Sequence, residues 1–174
     1  SRLCLPQNWR RWAGHIVAGS YDLHLDREYW AIRDGVAAID VSPLMKYMIE
    51  GPDAARLLDK LVPRDIAKMA VGQVGYTGWC DDEGKLLDDG TISRLGETTF
   101  RLTSAEPSLR WLSMNAVGLD VSITEVTEKM GALSLQGGGV TARHIRHGAH
   151  AGLDVHARNL VQQLDQAIDG LVED

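Results

Sequence analysis

Aromatic residues are scarce in this 174-residue chain: they make up 6%, with five Trp, four Tyr and a single Phe. Cysteine is scarcer still, and Cys4 and Cys80 alone cannot form a disulfide framework, so a reducing, cytoplasmic setting is the default expectation. No apolar run reaches the length of a membrane span, and the start carries no signal-peptide pattern. Basic residues are too few and too dispersed to form a stripe; the net charge of -6 argues against a nucleic-acid partner, because nothing offsets phosphate repulsion. What remains is ordinary soluble composition, 44% hydrophobic and 24% charged, which can bury a real core in one domain or one domain with an appendage.

Three zones follow along the chain. Residues 1–21 read as an irregular surface segment, with Pro6, Asn8 and the run Trp9-Arg10-Arg11-Trp12. Residues 22–136 read as one α+β unit. Residues 25–33 have helical periodicity with Gly35 as a stop, and residues 46–50 alternate as a half-buried strand should. Gly51-Pro52-Asp53 opens a helix that buries Leu57, Leu58, Leu61 and Val62. Strands are expected at 71–79, 86–95 and 98–104, and Asp81-Asp82-Glu83-Gly84 supplies hairpin turn chemistry between the first two. A helix over 107–116 and short strands at 121–126 and 132–135 complete the unit. Consecutive hairpins interleaved with helices predict an α+β fold, an antiparallel sheet with flanking helices. Residues 137–174 differ: Gly137-Gly138-Gly139 breaks the chain, and Asp154 can cap an amphipathic helix with Leu160, Val161, Leu164, Ile168 and Leu171 on one face.

Five acidic residues, Asp81, Asp82, Glu83, Asp88 and Asp89, surround the expected hairpin. Those at the turn are there for turn chemistry and solvation. Asp88 and Asp89 sit where the returning strand begins, and adjacent strand positions face opposite sides of a sheet. One therefore faces solvent and the other a covered face or cleft, where a carboxylate can accept hydrogen bonds from an amine-bearing heterocycle or exchange a proton with a reacting nitrogen. On residue types alone this is a weak signal, and a solvated surface pair explains it better. The histidines His144, His147, His150 and His156 lack a joining Cys or acidic ligand, and glycines interrupt them; a His-rich linker is the better reading, with no metal site expected.

The wider pattern carries more. Glu28-Tyr29-Trp30-Ala31-Ile32-Arg33, Ile39-Asp40-Val41-Ser42, Gly51-Pro52-Asp53-Ala54, Val71-Gly72-Gln73-Val74-Gly75-Tyr76-Thr77, Glu83-Gly84-Lys85-Leu86-Leu87-Asp88-Asp89, residues 100–105 and Ala132-Leu133-Ser134-Leu135-Gln136-Gly137 stand in this order. Together they resemble the glycine-cleavage T-protein (aminomethyltransferase) family, over about two thirds of the chain. Residues 88–95 look more like the family's demethylase-type branch. The resemblance implies a tetrahydrofolate-dependent one-carbon transferase, moving a methyl or aminomethyl-derived unit from a small methylated or aminomethylated donor. It implies Asp89 as the key acid beside the folate's reacting nitrogen, Tyr76 beside the pocket, and Leu44, Thr91, Ser93 and Leu102 lining it. Ser104 falls where many members have an Asn that hydrogen-bonds the pterin, a departure that weakens or changes that contact.

The resemblance stops after Gly137. The family continues there with a long second half that supplies a Glu and an Arg to the ligand, so only part of the pocket wall is expected here, and a one-sided pocket binds weakly unless something closes it. A homo-oligomer formed through the C-terminal helix or an uncovered sheet would do so. Three readings stay open on sequence: a transferase of this family, a non-catalytic folate-binding or oligomerisation module, and a folded fragment with no ligand.

Overall fold

The computed structural model of the chain describes residues 4–137; the expected C-terminal helix and the histidine-rich stretch lie outside them. The chain divides into two compact units. One holds Ile16–Val41 with the described ends of the chain, and the other holds Arg11–His15 and Ser42–Met130.

Near the start, where an irregular segment was expected, β1 (Trp9–Trp12) and β2 (His15–Ala18) form a two-stranded hairpin. Its tip, Ala13-Gly14, has positive φ at both positions (46° and 84°), as a tight primed turn requires. Ala is an unusual occupant of such a turn, which is why the turn carries no local sequence signal.

In the first unit, helix α1 (Leu25–Asp34) forms where the periodicity placed it. Glu28 reaches back to accept the backbone N–H groups of Tyr21 and Asp22 at 2.6 and 2.8 Å, which satisfies donors just ahead of the helix. Yet α1 buries none of its residues, and Leu25, Tyr29 and Trp30 are exposed. Strand β3 (Ala37–Asp40) pairs antiparallel with β9 (Leu133–Gln136), from Ala37 opposite Gln136 to Asp40 opposite Leu133. Gly137 is obligatory at the end of β9: its φ is +128°, and a Cβ there would stand 2.2 Å from the Gly35 carbonyl oxygen.

The second unit is built on an antiparallel sheet. Its strands are β4 (Met45–Glu50), β5 (Val74–Cys80), β6 (Leu86–Arg94), β7 (Thr99–Ser104) and β8 (Ser122–Glu125), in the spatial order β5-β6-β7-β4-β8. Strand β5 starts three residues later than expected because Gly72, at φ +87°, still belongs to a turn. Residues paired across the ladder share a face. The row Gly75, Ile92, Leu102, Tyr47 therefore marks one side of the sheet, and Phe100 and Ile49 lie on the same side.

That side is covered by α2 (Ala54–Leu61) and α3 (Leu109–Asn115). Leu57, Leu58 and Leu61 of α2 and Leu112 of α3 join the strand residues in one hydrophobic cluster. Full burial of each such leucine contributes about 2 kcal/mol. Trp111 of α3 stacks on Trp79 of β5 with centroids 6.0 Å apart. The buried Tyr47 hydroxyl accepts the Ser108 N–H at 2.8 Å and so serves an otherwise orphan donor at the start of α3. Together these features make an α+β fold: an antiparallel sheet with helices packed on one face.

Candidate functional site

The hairpin β5–β6 is set by its turn. The Asp81 carboxylate accepts the N–H groups of Glu83 at 3.0 Å and Lys85 at 2.8 Å, and Gly84 supplies a φ of +80°. With that turn closed, the register pairs Gly78 with Asp89, Tyr76 with Thr91 and Val74 with Ser93. The side chains of these residues stand on the face opposite the helices. Across β7 the same face continues through Arg101, opposite Ser93, and Thr103, opposite Thr91.

One step along β6 separates the two carboxylates. Asp88 pairs with Trp79 and accepts the Glu106 N–H at 3.0 Å and the Asp89 N–H at 2.8 Å, so it ties β6 to the segment after β7. Asp89, on the other face, accepts the Tyr76 hydroxyl on Oδ2. That hydrogen bond is the main reason the Tyr76 phenol is held above its ordinary pKa; desolvation and the Asp89 charge add to it in the same direction. The phenol therefore keeps its proton and orients the carboxylate, and Oδ1 of Asp89 is left as an acceptor for an incoming N–H. Tyr76 is 63% exposed, so its ring face is also available.

Gly90 lets β6 and β7 close to their present separation. A Cβ at this position would lie 1.9 Å from the Thr103 carbonyl oxygen, a contact no side chain can occupy. Gly90 thus holds Asp89 and Thr91 in register against β7. At the outer edge of β5, Arg64 donates to the Tyr76 carbonyl from Nη2 at 2.8 Å and from Nε at 3.3 Å. Pro63, Arg64, Asp65, Tyr76, Thr77 and Gly78 line an open groove of about 490 Å³ there. No local pattern points to Arg64, because it reaches Tyr76 from the connection that follows α2.

Of the residues expected in the pocket, the fold places Tyr76, Asp89, Thr91 and Ser93 together on the face opposite α2 and α3. Ser93 is buried and Thr91 half-buried there. Leu102 and Ser104 stand on the opposite face: Leu102 belongs to the hydrophobic cluster, and the Ser104 hydroxyl donates to the Glu106 carbonyl at 2.9 Å. Strand alternation separates them from Asp89. Leu44 precedes β4, and its carbonyl accepts the Lys46 ammonium at 2.8 Å.

Among the described residues, no group of three or more His, Cys, Asp or Glu side chains could hold a metal ion. No helix among them is long and apolar enough to cross a membrane.

This arrangement can be set against known proteins. The chain is 30% identical over 114 residues to an aminomethyltransferase of Herpetosiphon aurantiacus, covering 63% of this chain and 32% of that protein. It is 34% identical over 113 residues to a trimethylamine-oxide aldolase of Ruegeria pomeroyi, covering 63% of this chain and 14% of that protein. The crystal structure of glycine cleavage system aminomethyltransferase T from Bartonella henselae superimposes with a TM-score of 0.69 at 25% identity, over 76% of this chain and 37% of that one. The chain thus spans about a third or less of the length of these curated relatives. The α+β sheet with its helices matches the front region of that T-protein structure. The family model described as the GCVT N-terminal domain matches residues 6–160, and the chain belongs to that family.

Proposed function

We propose that this chain is the folate-binding portion of a tetrahydrofolate-dependent one-carbon transferase, of the demethylase-like branch of its family, with Asp89 as the acid that meets the ligand. The observation that carries this reading is the Asp89 carboxylate on the face opposite α2 and α3, steadied by the Tyr76 hydroxyl. Oδ1 can accept an N–H of a reduced pterin, the exposed Tyr76 ring offers an apolar surface for it, and the hydroxyls of Thr91 and Ser93 continue along the same face. These groups fit an amine-rich heterocycle. Leu102 and Ser104 enter the proposal as family-equivalent positions that act through the shape of the sheet rather than by sharing Asp89's face, and Leu44 as a family-equivalent position just before β4.

Bound tetrahydrofolate would supply a nucleophilic nitrogen that accepts the one-carbon unit. Asp89 would hold the heterocycle in position and, where the transfer needs it, exchange a proton at Oδ1. Exclusion of water would favour the same transfer. The ligand-binding portion is proposed to comprise residues 22–136, flanked by segments 1–21 and 137–174. The donor is a small methylated or aminomethylated compound, and the setting is the cytoplasm. A second copy of the chain, docked through its C-terminal segment or the sheet face opposite α2 and α3, would complete the wall of the pocket.

A second reading, a folate-binding or assembly module without turnover, is favoured by Ser104, which stands where many family members have an Asn and whose hydroxyl donates to the Glu106 carbonyl at 2.9 Å. Calorimetric titration with tetrahydrofolate separates the two. The native chain is expected to bind, and Asp89→Ala to bind at least about tenfold more weakly, the loss of one charge-assisted hydrogen bond. Absence of binding by the native chain would sink both readings. Binding without transfer from a methylated aromatic, a methylated amine or an aminomethyl carrier would select the module.

A further inference from the structure

Arg101 lies on the same sheet face as Asp89, at the far end of the row of hydroxyls. It pairs with Ser93 of β6 on one side and Met48 of β4 on the other. Ser93 is four residues along β6 from Asp89, about 13 Å, and Arg101 stands one strand spacing, about 5 Å, beyond it. The Arg101 side chain is largely withdrawn from water, and desolvation pulls its pKa below the ordinary arginine value. Guanidinium remains a cation under such a shift.

A cation withdrawn from water calls for an anion, since desolvating a charge is unfavourable unless it is paired. Among the described residues the Arg101 guanidinium makes one hydrogen bond, from Nη1 to the sulfur of Met130 at 3.2 Å, and a thioether is a weak acceptor that carries no charge. Nε is buried and has no partner. Nε–H and the nearer N–H of Nη2 point the same way, along the edge of the guanidinium turned from Met130. Two parallel donors on one edge match the two oxygens of a carboxylate.

We infer that Arg101 is the receptor for a carboxylate, bound through the Nε and Nη2 edge, on a ligand that lies along the sheet face opposite α2 and α3 with its other end at Asp89. The position of that other end rests on the function proposed above; the carboxylate site does not. The span of roughly 14 Å between the two residues suits an extended ligand with a heterocycle at one end and an acid at the other. The acid can belong to the glutamyl tail of the folate or to a carboxylate-bearing one-carbon donor seated beside it.

The test uses the full chain, labelled with ¹⁵N, and follows the arginine Nε–H resonances, with Arg101→Lys identifying the Arg101 signal by its loss. Sodium acetate is expected to move that signal saturably, and sodium chloride at equal ionic strength is expected to leave it in place. No saturable response to acetate, or an equal response to chloride, overturns the assignment. So does a guanidinium already paired within the full chain, which acetate would not move. The acetate arm reads the native chain and does not need folate binding, so a shift with acetate in a chain that binds no folate would refute the proposed function and leave this inference standing.

The source of the acid is then read by titrating Arg101→Gln and the native chain with tetrahydrofolate and with a tetrahydropterin lacking the glutamyl tail. A loss of about tenfold for the first ligand and none for the second assigns the site to the folate tail. Unchanged affinity for both, with the acetate response intact in the native chain, assigns it to the donor.

Discussion

At Asp89 the carboxylate takes the Tyr76 hydroxyl, and each residue reports on the other. The neutral phenol is the form that donates this hydrogen bond, so folding raises the Tyr76 pKa above the ordinary value of about 10. The sign of the linkage follows. The contribution to stability is fully present below the pKa of the unfolded chain, near 10, and is lost as pH rises through the higher folded value. Tyr76 is exposed, so water screens the effect and a small contribution is expected. An ultraviolet or NMR titration should find Tyr76 ionising above a reference tyrosine in the native protein and moving back toward the reference in Asp89→Ala. A Tyr76 pKa indifferent to that substitution would show that the pair does not form in solution. Asp88, its neighbour in sequence, serves two backbone N–H groups instead. Strand alternation thus sends the two carboxylates to opposite faces, Asp88 to a structural role and Asp89 to the face proposed to meet the ligand.

The elements that position the site were largely legible because their signals are local. The Asp81–Gly84 turn, the leucine spacing of α2 and the alternation of β4 each depend on residues within one turn or strand. What each strand meets across the sheet is not local. Nothing near Gly90 in the chain announces that the Thr103 carbonyl would stand 1.9 Å from its Cβ. Gly90→Ala is therefore expected to cost ~3 kcal/mol, toward the upper end of overpacking effects, and to lower the denaturation midpoint accordingly. Chemical denaturation of the purified variant checks this, and a change under 1 kcal/mol would mean that β6 and β7 separate readily. Similarly, alternation along β7 puts Ser104 and Leu102 with Phe100 among core residues. Their family-equivalent positions alone do not disclose which face of the sheet they take.

At the scale of the whole molecule, the chain is a portion of the architecture its relatives carry, covering 37% of the T-protein structure it superimposes on. Helix α1 buries none of its own residues, and Trp30 is 55% exposed. Trp30→Ser is expected to change stability by less than about 0.5 kcal/mol, as substitutions of exposed residues do. A thermal melt that falls by several degrees would show instead that α1 is covered in solution. The family resemblance and the order of the strands and helices from β4 to β8 followed from the sequence by itself, because turn chemistry, periodicity and ordered motifs are written into neighbouring residues. The N-terminal hairpin did not, since its Ala13-Gly14 tip lacks the usual turn residues. Only the tertiary structure decided that Asp89, Tyr76, Thr91, Ser93 and Arg101 share one face while Leu102 and Ser104 take the other. The reason is physical: facing is set by the register between strands distant in sequence, and a shift of one residue would turn each of these side chains to the opposite side.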